Sequence, residues 1–188
     1  EKAKVDRADS FAMTQLVKAY RQEGVEMLLC LDLSSSMSAK DLAANWTRLE
    51  VAQAAAARFV LTRAQDRIGL VGFARFPDLV CPPTLDHEAL ATLLAGLGLV
   101  EADGPEDATG IGTAVARAAQ ILGKSKAKSK VVILLTDGEE NVASAQTQDE
   151  IGTLSAGRIA QQFGVRVYTI AVGSGRLDQA GEWVALDT

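Results

Sequence analysis

Four short runs of apolar, partly β-branched residues, each bounded by turn residues, recur along the chain. They cover residues 25–32 (VEMLLCLD), 67–74 (RIGLVGFA), 130–137 (KVVILLTD) and 165–172 (VRVYTIAV). Continuous apolar runs of this length are typical of strands that are buried on both faces. The pattern therefore predicts four buried strands.

Apolar residues spaced three and four apart fill the intervals between these runs, as in helices that bury one face. The first such stripe follows Thr47, and Glu50 stands where a capping box requires an acid. Three further stripes lie at 90–97, 111–122 and 151–163. A similar pattern at 9–20 predicts another helix, packed outside the sheet.

Strands that alternate with helices imply crossover connections and a mostly parallel sheet with helices on both faces. The predicted fold class is therefore α/β and doubly wound. One segment departs from this alternation, because residues 76–84 (FPDLVCPPT) follow the second strand too closely for a crossover helix. Residues 78–81 are therefore predicted to form a short antiparallel edge strand, which Pro82 and Pro83 end.

Composition narrows the class of protein. The 188 residues are 48% hydrophobic and 23% charged, which suits one globular domain with a sizeable core. A net charge of -5 and the lack of a basic, aromatic-studded stripe argue against nucleic-acid binding. No apolar stretch approaches the roughly 20 residues of a membrane span, so membrane attachment would need flanking segments.

Cysteine and histidine are scarce. Cys30 and Cys81 are too few for a disulfide framework or a thiolate zinc site, and Cys81 is interpreted as an apolar residue of the edge strand. His87 is the single histidine, and its place in LDHEAL predicts a surface residue near a helix start. A histidine-rich metal site, or a serine hydrolase triad built on another histidine, is excluded.

Polar residues follow the predicted strands at the end where ligands gather in parallel sheets. Asp32 and three serines follow the first strand, Thr136 and Asp137 end the strand at 130–137, and the loop 103–112 (DGPEDATGIG) precedes a helix. A buried carboxylate needs a partner, and no Lys or Arg follows Asp32 closely in the sequence. A small hard cation, which prefers oxygen ligands, would satisfy these acids and hydroxyls together.

These residues resemble the metal-ion-dependent adhesion site of von Willebrand factor type A (VWA) domains, with a D-x-S-x-S motif, a threonine before a helix and an aspartate after a strand. The matching positions are Asp32, Ser34, Ser36, Thr109 and Asp137. Longer stretches, among them LDLSSSM, DRIGLVGFA and KSKVVILLTDGEEN, are similar to the bacterial BatA-like subgroup of aerotolerance-type operons. The resemblance covers residues 25–173.

The resemblance implies a strand order of 3-2-1-4-5-6 and a bound Mg2+, for which Mn2+ can substitute. Ser34 and Ser36 would hold the ion directly, and Thr109 and the two aspartates directly or through water. Because few of these ligands are negative, the ion would attract a Glu or Asp side chain from a partner protein. The same strand order places Cys30 and Cys81 about 9 to 10 Å apart, which predicts two free thiols.

The resemblance further implies a protein-binding module and not an enzyme. Its partners would include other VWA proteins of the same operon or a MoxR-type AAA+ ATPase system. The module would be the soluble part of a bacterial membrane-anchored protein, facing the periplasm or, as the alternative, the cytoplasm. Residues 1–24 are expected to form an N-terminal helical extension and residues 25–188 the VWA domain.

The sequence departs from the family pattern in two places. Only residues 174–188 follow the last apolar run, so the family's final helix and strand are missing or rearranged, and EWVALD is either the sixth strand or an insertion strand. DATGIG also has Ala108 and Gly110 where the subgroup often has glycine and alanine, which could shift the loop around Thr109.

Two other functions stay open. An aspartate after a strand can accept a phosphoryl group, as in a Mg2+-dependent phosphatase, but Ser34 stands where a second acid is expected. A structural scaffold with a vestigial site would use the same aspartates and serines to cap helices and form turns. The acids and amide near the site that are interpreted as solvated or turn-forming are Glu106, Asp107, Glu139, Glu140 and Asn141.

Overall fold

The computed structural model describes residues 24–42, 45–138, 140–142 and 151–173, with the backbone of 176–177 and 183–184. The strands are β1 (Glu26–Asp32), β2 (Arg67–Phe73), β3 (Pro77–Thr84), β4 (Lys130–Thr136), β5 (Val165–Ala171), β6 (Arg176–Leu177) and β7 (Trp183–Val184). The helices are α1 (Arg48–Leu61), α2 (His87–Ala95), α3 (Ile111–Gly123) and α4 (Thr153–Gln162), with a short 3-10 helix at Ser35–Ser38. All four predicted strands and the four helical stripes that follow Thr47 are present, whereas the helix predicted at 9–20 lies outside the described residues. The prediction that all four strands are buried was wrong for β5, which is buried only at Val165, because β5 is an edge strand of the sheet in the described part of the chain.

Five strands form one sheet in the order β3-β2-β1-β4-β5. β1 pairs in parallel with β2 and β4, β4 pairs in parallel with β5, and β3 runs antiparallel to β2. This arrangement confirms the α/β fold class and the first five places of the predicted strand order. β6 and β7 pair with each other in a separate antiparallel sheet, so within the described residues EWVALD, which contains β7, does not add a sixth strand to the main sheet.

The central strand β1 carries a core on each of its faces. Leu29 faces a cluster formed with α1 and α2, which we call the α1–α2 cluster. Leu28 and Cys30 face a second cluster formed with α3 and α4, the α3–α4 cluster. Because parallel neighbours and helical layers cover β1 on all sides, it is apolar at successive positions up to the aspartate that ends it.

Helix α1 starts at a fully formed capping box. The backbone N–H of Thr47 donates to Glu50 Oε2 at 2.7 Å, and the backbone N–H of Glu50 donates to Thr47 Oγ1 at 3.2 Å. This reciprocal arrangement satisfies two backbone donors at the helix start and confirms the predicted box. It also fixes Arg48 as the first helical residue. None of the helices in the described part of the chain is long and apolar enough to cross a bilayer.

The edge strand is longer than predicted. β3 continues through Pro82 and Pro83 to Thr84 instead of ending at the prolines, with register shifts in its pairing with β2. A proline has no N–H to donate, but this removes no ladder bond where the N–H would face away from the sheet or lie in a bulge. The prediction that the prolines end the strand was therefore wrong for an edge position.

His87 is buried, which corrects the prediction of a surface residue. It is the first residue of α2, as expected, but only 8% of it is exposed. Its Nε2 lies 2.9 Å from the backbone oxygen of Asp66. This contact satisfies a ring nitrogen inside the domain and gives the histidine a structural role.

Both cysteines are free thiols, as predicted. Cys30 lies in β1 and Cys81 in β3, and β2 stands between them. Cys81 packs with the α1–α2 cluster, which confirms its interpretation as an apolar residue of the edge strand.

Candidate metal centre

Asp32 ends β1 with its side chain fully inside the protein, at 0% exposure. Its Oδ1 accepts hydrogen bonds from the backbone N–H and the hydroxyl of Ser34, at 2.9 and 2.7 Å. Its Oδ2 accepts a hydrogen bond from the Thr136 hydroxyl at 2.5 Å. Burial raises the pKa of Asp32 above its ordinary value, although the hydrogen bonds from Thr136 and Ser34 lower it in part. Each of these bonds comes from a neutral donor, so the negative charge has no cationic partner among them.

Ser36 continues this hydrogen-bonded chain to the second aspartate. The hydroxyl oxygens of Ser34 and Ser36 are 3.1 Å apart, and the Ser36 hydroxyl donates to Asp137 Oδ1 at 2.8 Å. Asp137 directly follows β4, the neighbour of β1 in the sheet. The structure thus joins four of the five predicted site residues in one chain of contacts.

Thr109, the fifth predicted residue, lies at the same end of the sheet. It is 4% exposed, and a Cβ placed on Gly138, the residue after Asp137, would be 3.4 Å from its Oγ1. Its backbone N–H donates to Asn141 Oδ1 at 2.6 Å, and the Asn141 N–H donates back to the Thr109 carbonyl at 3.2 Å. Within the described residues the Thr109 hydroxyl has no hydrogen-bond partner.

The loop before α3 requires Gly110, the position where the BatA-like subgroup often has alanine. The Gly110 N–H donates to the Ala74 carbonyl at 2.8 Å. A Cβ at Gly110 would lie only 2.4 Å from the backbone oxygen of Arg75. An alanine at this position would therefore displace the backbone directly after Thr109.

Two acids interpreted as solvated or turn-forming residues hold the loops of the site. Asp107 accepts hydrogen bonds from the backbone N–H groups of Ser35 and Asp103, both at 2.9 Å. Hydrogen bonding by the Ser35 side chain, followed by these two backbone bonds, lowers the pKa of Asp107. Glu140 accepts from the backbone N–H of Gly112, in the first turn of α3, at 2.7 Å. Together with Asn141, these acids hold the loop that carries Ser34 and Ser36 (the serine loop) and the loop that carries Thr109 (the threonine loop). Glu139 lies outside the described residues.

Arg48 is a residue of the site that was not predicted from the sequence. Its guanidinium donates to both oxygens of Asp41, from Nε at 2.8 Å and from Nη2 at 2.7 Å, and its Nη1 donates to Asp137 Oδ2 at 2.6 Å. The hydrogen bonds with Asp41, partly opposed by burial and reinforced by Asp137, raise the pKa of Arg48. The sequence shows only that a cation stands in the first turn of the helix, where it opposes the helix dipole; it does not identify the acidic partner.

The donor set fits a small hard cation. Two carboxylates and three hydroxyls meet at one sheet edge, and oxygen donors of this kind are what Mg2+ binds in proteins. The Thr109 hydroxyl and the Asp32 charge are the two groups that a cation would satisfy. Among the described residues no group of three or more His, Cys, Asp or Glu side chains could hold a metal ion, so a centre here depends on its hydroxyls.

Comparison with known proteins agrees with the observed fold. The family model of the von Willebrand factor type A domain matches residues 27–140. A UPF0353 protein of Mycolicibacterium paratuberculosis is 32% identical over 163 residues, which are 85% of this chain and 49% of that protein. The chain therefore spans about half the length of the curated relatives that it matches.

Two crystal structures of bacterial proteins are similar over most of the chain. One is an aerotolerance-related membrane protein from Bacteroides fragilis, with a TM-score of 0.68 and 25% identity over 87% of this chain and 81% of that chain. The other is BatB from Bacteroides thetaiotaomicron, with a TM-score of 0.67 and 25% identity over 87% of this chain and 80% of that chain. The recognition of an aerotolerance-type VWA domain from the sequence is confirmed.

Proposed function

This chain belongs to the von Willebrand factor type A domain family, and from that premise we propose that it is a metal-dependent protein-binding module. VWA domains commonly serve as protein-interaction modules. The observation that carries the proposal is the buried cluster at the end of β1, where Asp32 has only neutral donors and the Thr109 hydroxyl has no partner within the described residues.

In this proposal the cluster binds Mg2+, with Mn2+ as a substitute. Ser34 and Ser36 hold the ion directly, and Asp32, Thr109 and Asp137 contact it directly or through water. A Glu or Asp side chain of a partner protein supplies a further ligand, because a site with few negative ligands leaves the ion attractive to an external carboxylate. The partner belongs to the same operon system, as a VWA protein or a MoxR-type AAA+ ATPase complex.

The proposal includes anchorage to a bacterial membrane through segments outside this sequence. Two structural neighbours are described as an aerotolerance-related membrane protein and as a membrane-spanning protein from Vibrio fischeri. The domain would face the periplasm, with the cytoplasm as the alternative. Labelling of intact cells by a reagent that cannot cross the inner membrane would distinguish the two sides.

The phosphatase alternative has less support. A phosphoryl acceptor needs an oxygen that can reach the phosphorus atom of a substrate. Asp32 is fully buried, and both of its oxygens already accept hydrogen bonds. Hydrolysis of a generic phosphate ester that requires Mg2+ and is lost in Asp32→Asn would nevertheless restore this alternative.

The test of the proposed function is metal-dependent capture. The domain is immobilised and exposed to extract in Mg2+ and, separately, in EDTA. Partners should bind only in Mg2+ and should be lost from Asp32→Ala, Ser34→Ala, Thr109→Ala and Asp137→Ala. Thr92→Ala, which removes an exposed hydroxyl on α2, is the matched control and should capture as the wild type does. Equal capture in both buffers and by all variants would show that these residues serve only the fold.

A further inference from the structure

We propose that Arg48 is a specificity-determining residue of this centre: it occupies one oxygen of Asp137 and thereby favours Mg2+ over Ca2+. The inference rests on the proposed metal centre and assigns a function to a residue outside the predicted ligand set. The inference follows from the fixed position of the guanidinium, from the hydrogen bonds of the two Asp137 oxygens, and from the different coordination shells of Mg2+ and Ca2+.

The position of the guanidinium is fixed from several sides. Two parallel hydrogen bonds to Asp41 set the plane of the guanidinium, since a bidentate pair allows little rotation. The Arg48 N–H donates to the Ala39 carbonyl at 2.8 Å, and the capping box at Thr47 fixes the helix start. A Cβ at Gly173 would lie 3.0 Å from Arg48 Cζ, so the chain after β5 closes one side.

The two oxygens of Asp137 have different partners. Oδ1 accepts from the Ser36 hydroxyl and therefore faces the cluster, whereas Oδ2 accepts from Arg48 Nη1 at 2.6 Å. Only 1% of the Asp137 side chain and 10% of the Arg48 side chain are exposed. Turning Oδ2 toward an ion would break a buried, charge-assisted hydrogen bond, which is among the stronger hydrogen bonds in proteins, while the guanidinium stays fixed by Asp41.

Asp32 is limited in a similar way. Its Oδ1 accepts from Ser34 and its Oδ2 from Thr136, so the geometry offers no free pair of carboxylate oxygens to one ion. Ca2+ takes six to eight oxygen ligands and often binds a carboxylate through both oxygens, whereas Mg2+ keeps an octahedral shell with several waters. A site in which neither carboxylate can turn both of its oxygens toward one ion therefore suits Mg2+ better than Ca2+.

Removing the guanidinium should weaken this preference for Mg2+. In Arg48→Met, an apolar side chain of similar length leaves Asp137 Oδ2 without a donor, so both Asp137 oxygens become available. We expect the ratio of the Ca2+ Kd to the Mg2+ Kd to fall by about tenfold, mainly through tighter Ca2+ binding. Loss of the nearby positive charge should also tighten binding of both ions.

The experiment is a titration of each purified variant with Mg2+ and with Ca2+, read by displacement of Mn2+ in electron paramagnetic resonance. Arg48→Lys keeps the positive charge but not the planar guanidinium with its paired N–H donors. It should fold and give a ratio of Ca2+ Kd to Mg2+ Kd between those of wild type and Arg48→Met. Arg58→Met removes an exposed arginine from the same helix and should leave the ratio unchanged. Circular dichroism checks that each variant is folded.

The outcomes separate this inference from the proposed function. A wild-type domain that binds neither Mg2+ nor Mn2+ overturns the metal centre and the role of Arg48 with it. A wild type that binds Mg2+, with folded Arg48 variants of unchanged ratio, overturns the role of Arg48 alone. An equal loss of affinity for both ions would also overturn it, because that is the signature of an arginine that only stabilises the loop.

Discussion

Two substitutions at Asp32 can separate the proposed metal centre from the fold. In Asp32→Asn the amide oxygen still accepts from Ser34, and the amide nitrogen can donate to the Thr136 oxygen. In Asp32→Ala the Ser34 N–H and the Thr136 hydroxyl lose their acceptor inside a fully buried site. The Ser34 hydroxyl keeps a partner, because Ser36 Oγ is 3.1 Å away.

The expected magnitudes follow from these contacts. A buried donor without an acceptor costs about 1–3 kcal/mol, and the Thr136 hydroxyl, unlike the fixed Ser34 N–H, can rotate and so reduce its share of this cost. Asp32→Ala should therefore lose ~2–4 kcal/mol of unfolding free energy, and Asp32→Asn should stay within about 1 kcal/mol of the wild type. Both variants should keep a native circular dichroism spectrum at 25 °C, because domains are stable by roughly 5–15 kcal/mol.

The assay is urea unfolding of both variants and the wild type, in EDTA and at a Mg2+ concentration ten times the wild-type Kd. Ligand linkage then stabilises the wild type by about 1.4 kcal/mol, and the variants should gain nothing. If Asp32→Asn loses as much stability as Asp32→Ala, the negative charge itself maintains the fold. If either variant gains the wild-type increment, Asp32 is not a ligand.

Three further predictions concern the thiols and the threonine loop. Burial raises the pKa of Cys30 to about 12, so this thiol should not react with a thiol reagent at pH 8 in the native domain. Unfolded protein should titrate two thiols, and rapid reaction of Cys30 in the native domain would contradict its buried position. Gly110→Ala should weaken Mg2+ binding about tenfold, because its Cβ would overlap the Arg75 carbonyl. Gly98→Ala, whose Cβ meets no atom within 4 Å, is the control and should not change Mg2+ binding. Equal Mg2+ affinities of Gly110→Ala and wild type by calorimetry would contradict this reasoning. Asn141→Ala removes the acceptor that orients the threonine backbone, and calorimetry should show weaker Mg2+ binding with an unchanged circular dichroism spectrum, a result that unaltered affinity would refute.

Residues whose surroundings are local in sequence or imposed by the sheet could be predicted. The apolar run that forms β1 is uninterrupted because the strand is covered on both faces, and Asp32 and Asp137 stand out because each follows such a run. The α1 capping box is visible because Thr47 and Glu50 are three residues apart.

Residues whose partners are distant in sequence could not be predicted from local patterns. Arg48 binds an aspartate 89 positions away, and Asp107 accepts from a serine N–H 72 positions away. His87 was misjudged because a carbonyl from another loop satisfies its ring. The extent of β3 was misjudged because a proline stops a central strand but not an edge strand.

The division of the interior by β1 has a thermodynamic consequence. Helix α1, which provides Arg48, belongs to the α1–α2 cluster, whereas Thr109 immediately precedes α3, which belongs to the α3–α4 cluster. Such layers can open separately, since proteins unfold locally in units of unequal stability. A ligand that contacts groups fixed by both layers is lost when either one opens, so its binding free energy is added to the cost of each local opening. Occupancy at this one edge would therefore make the two halves of the domain unfold as a single cooperative unit.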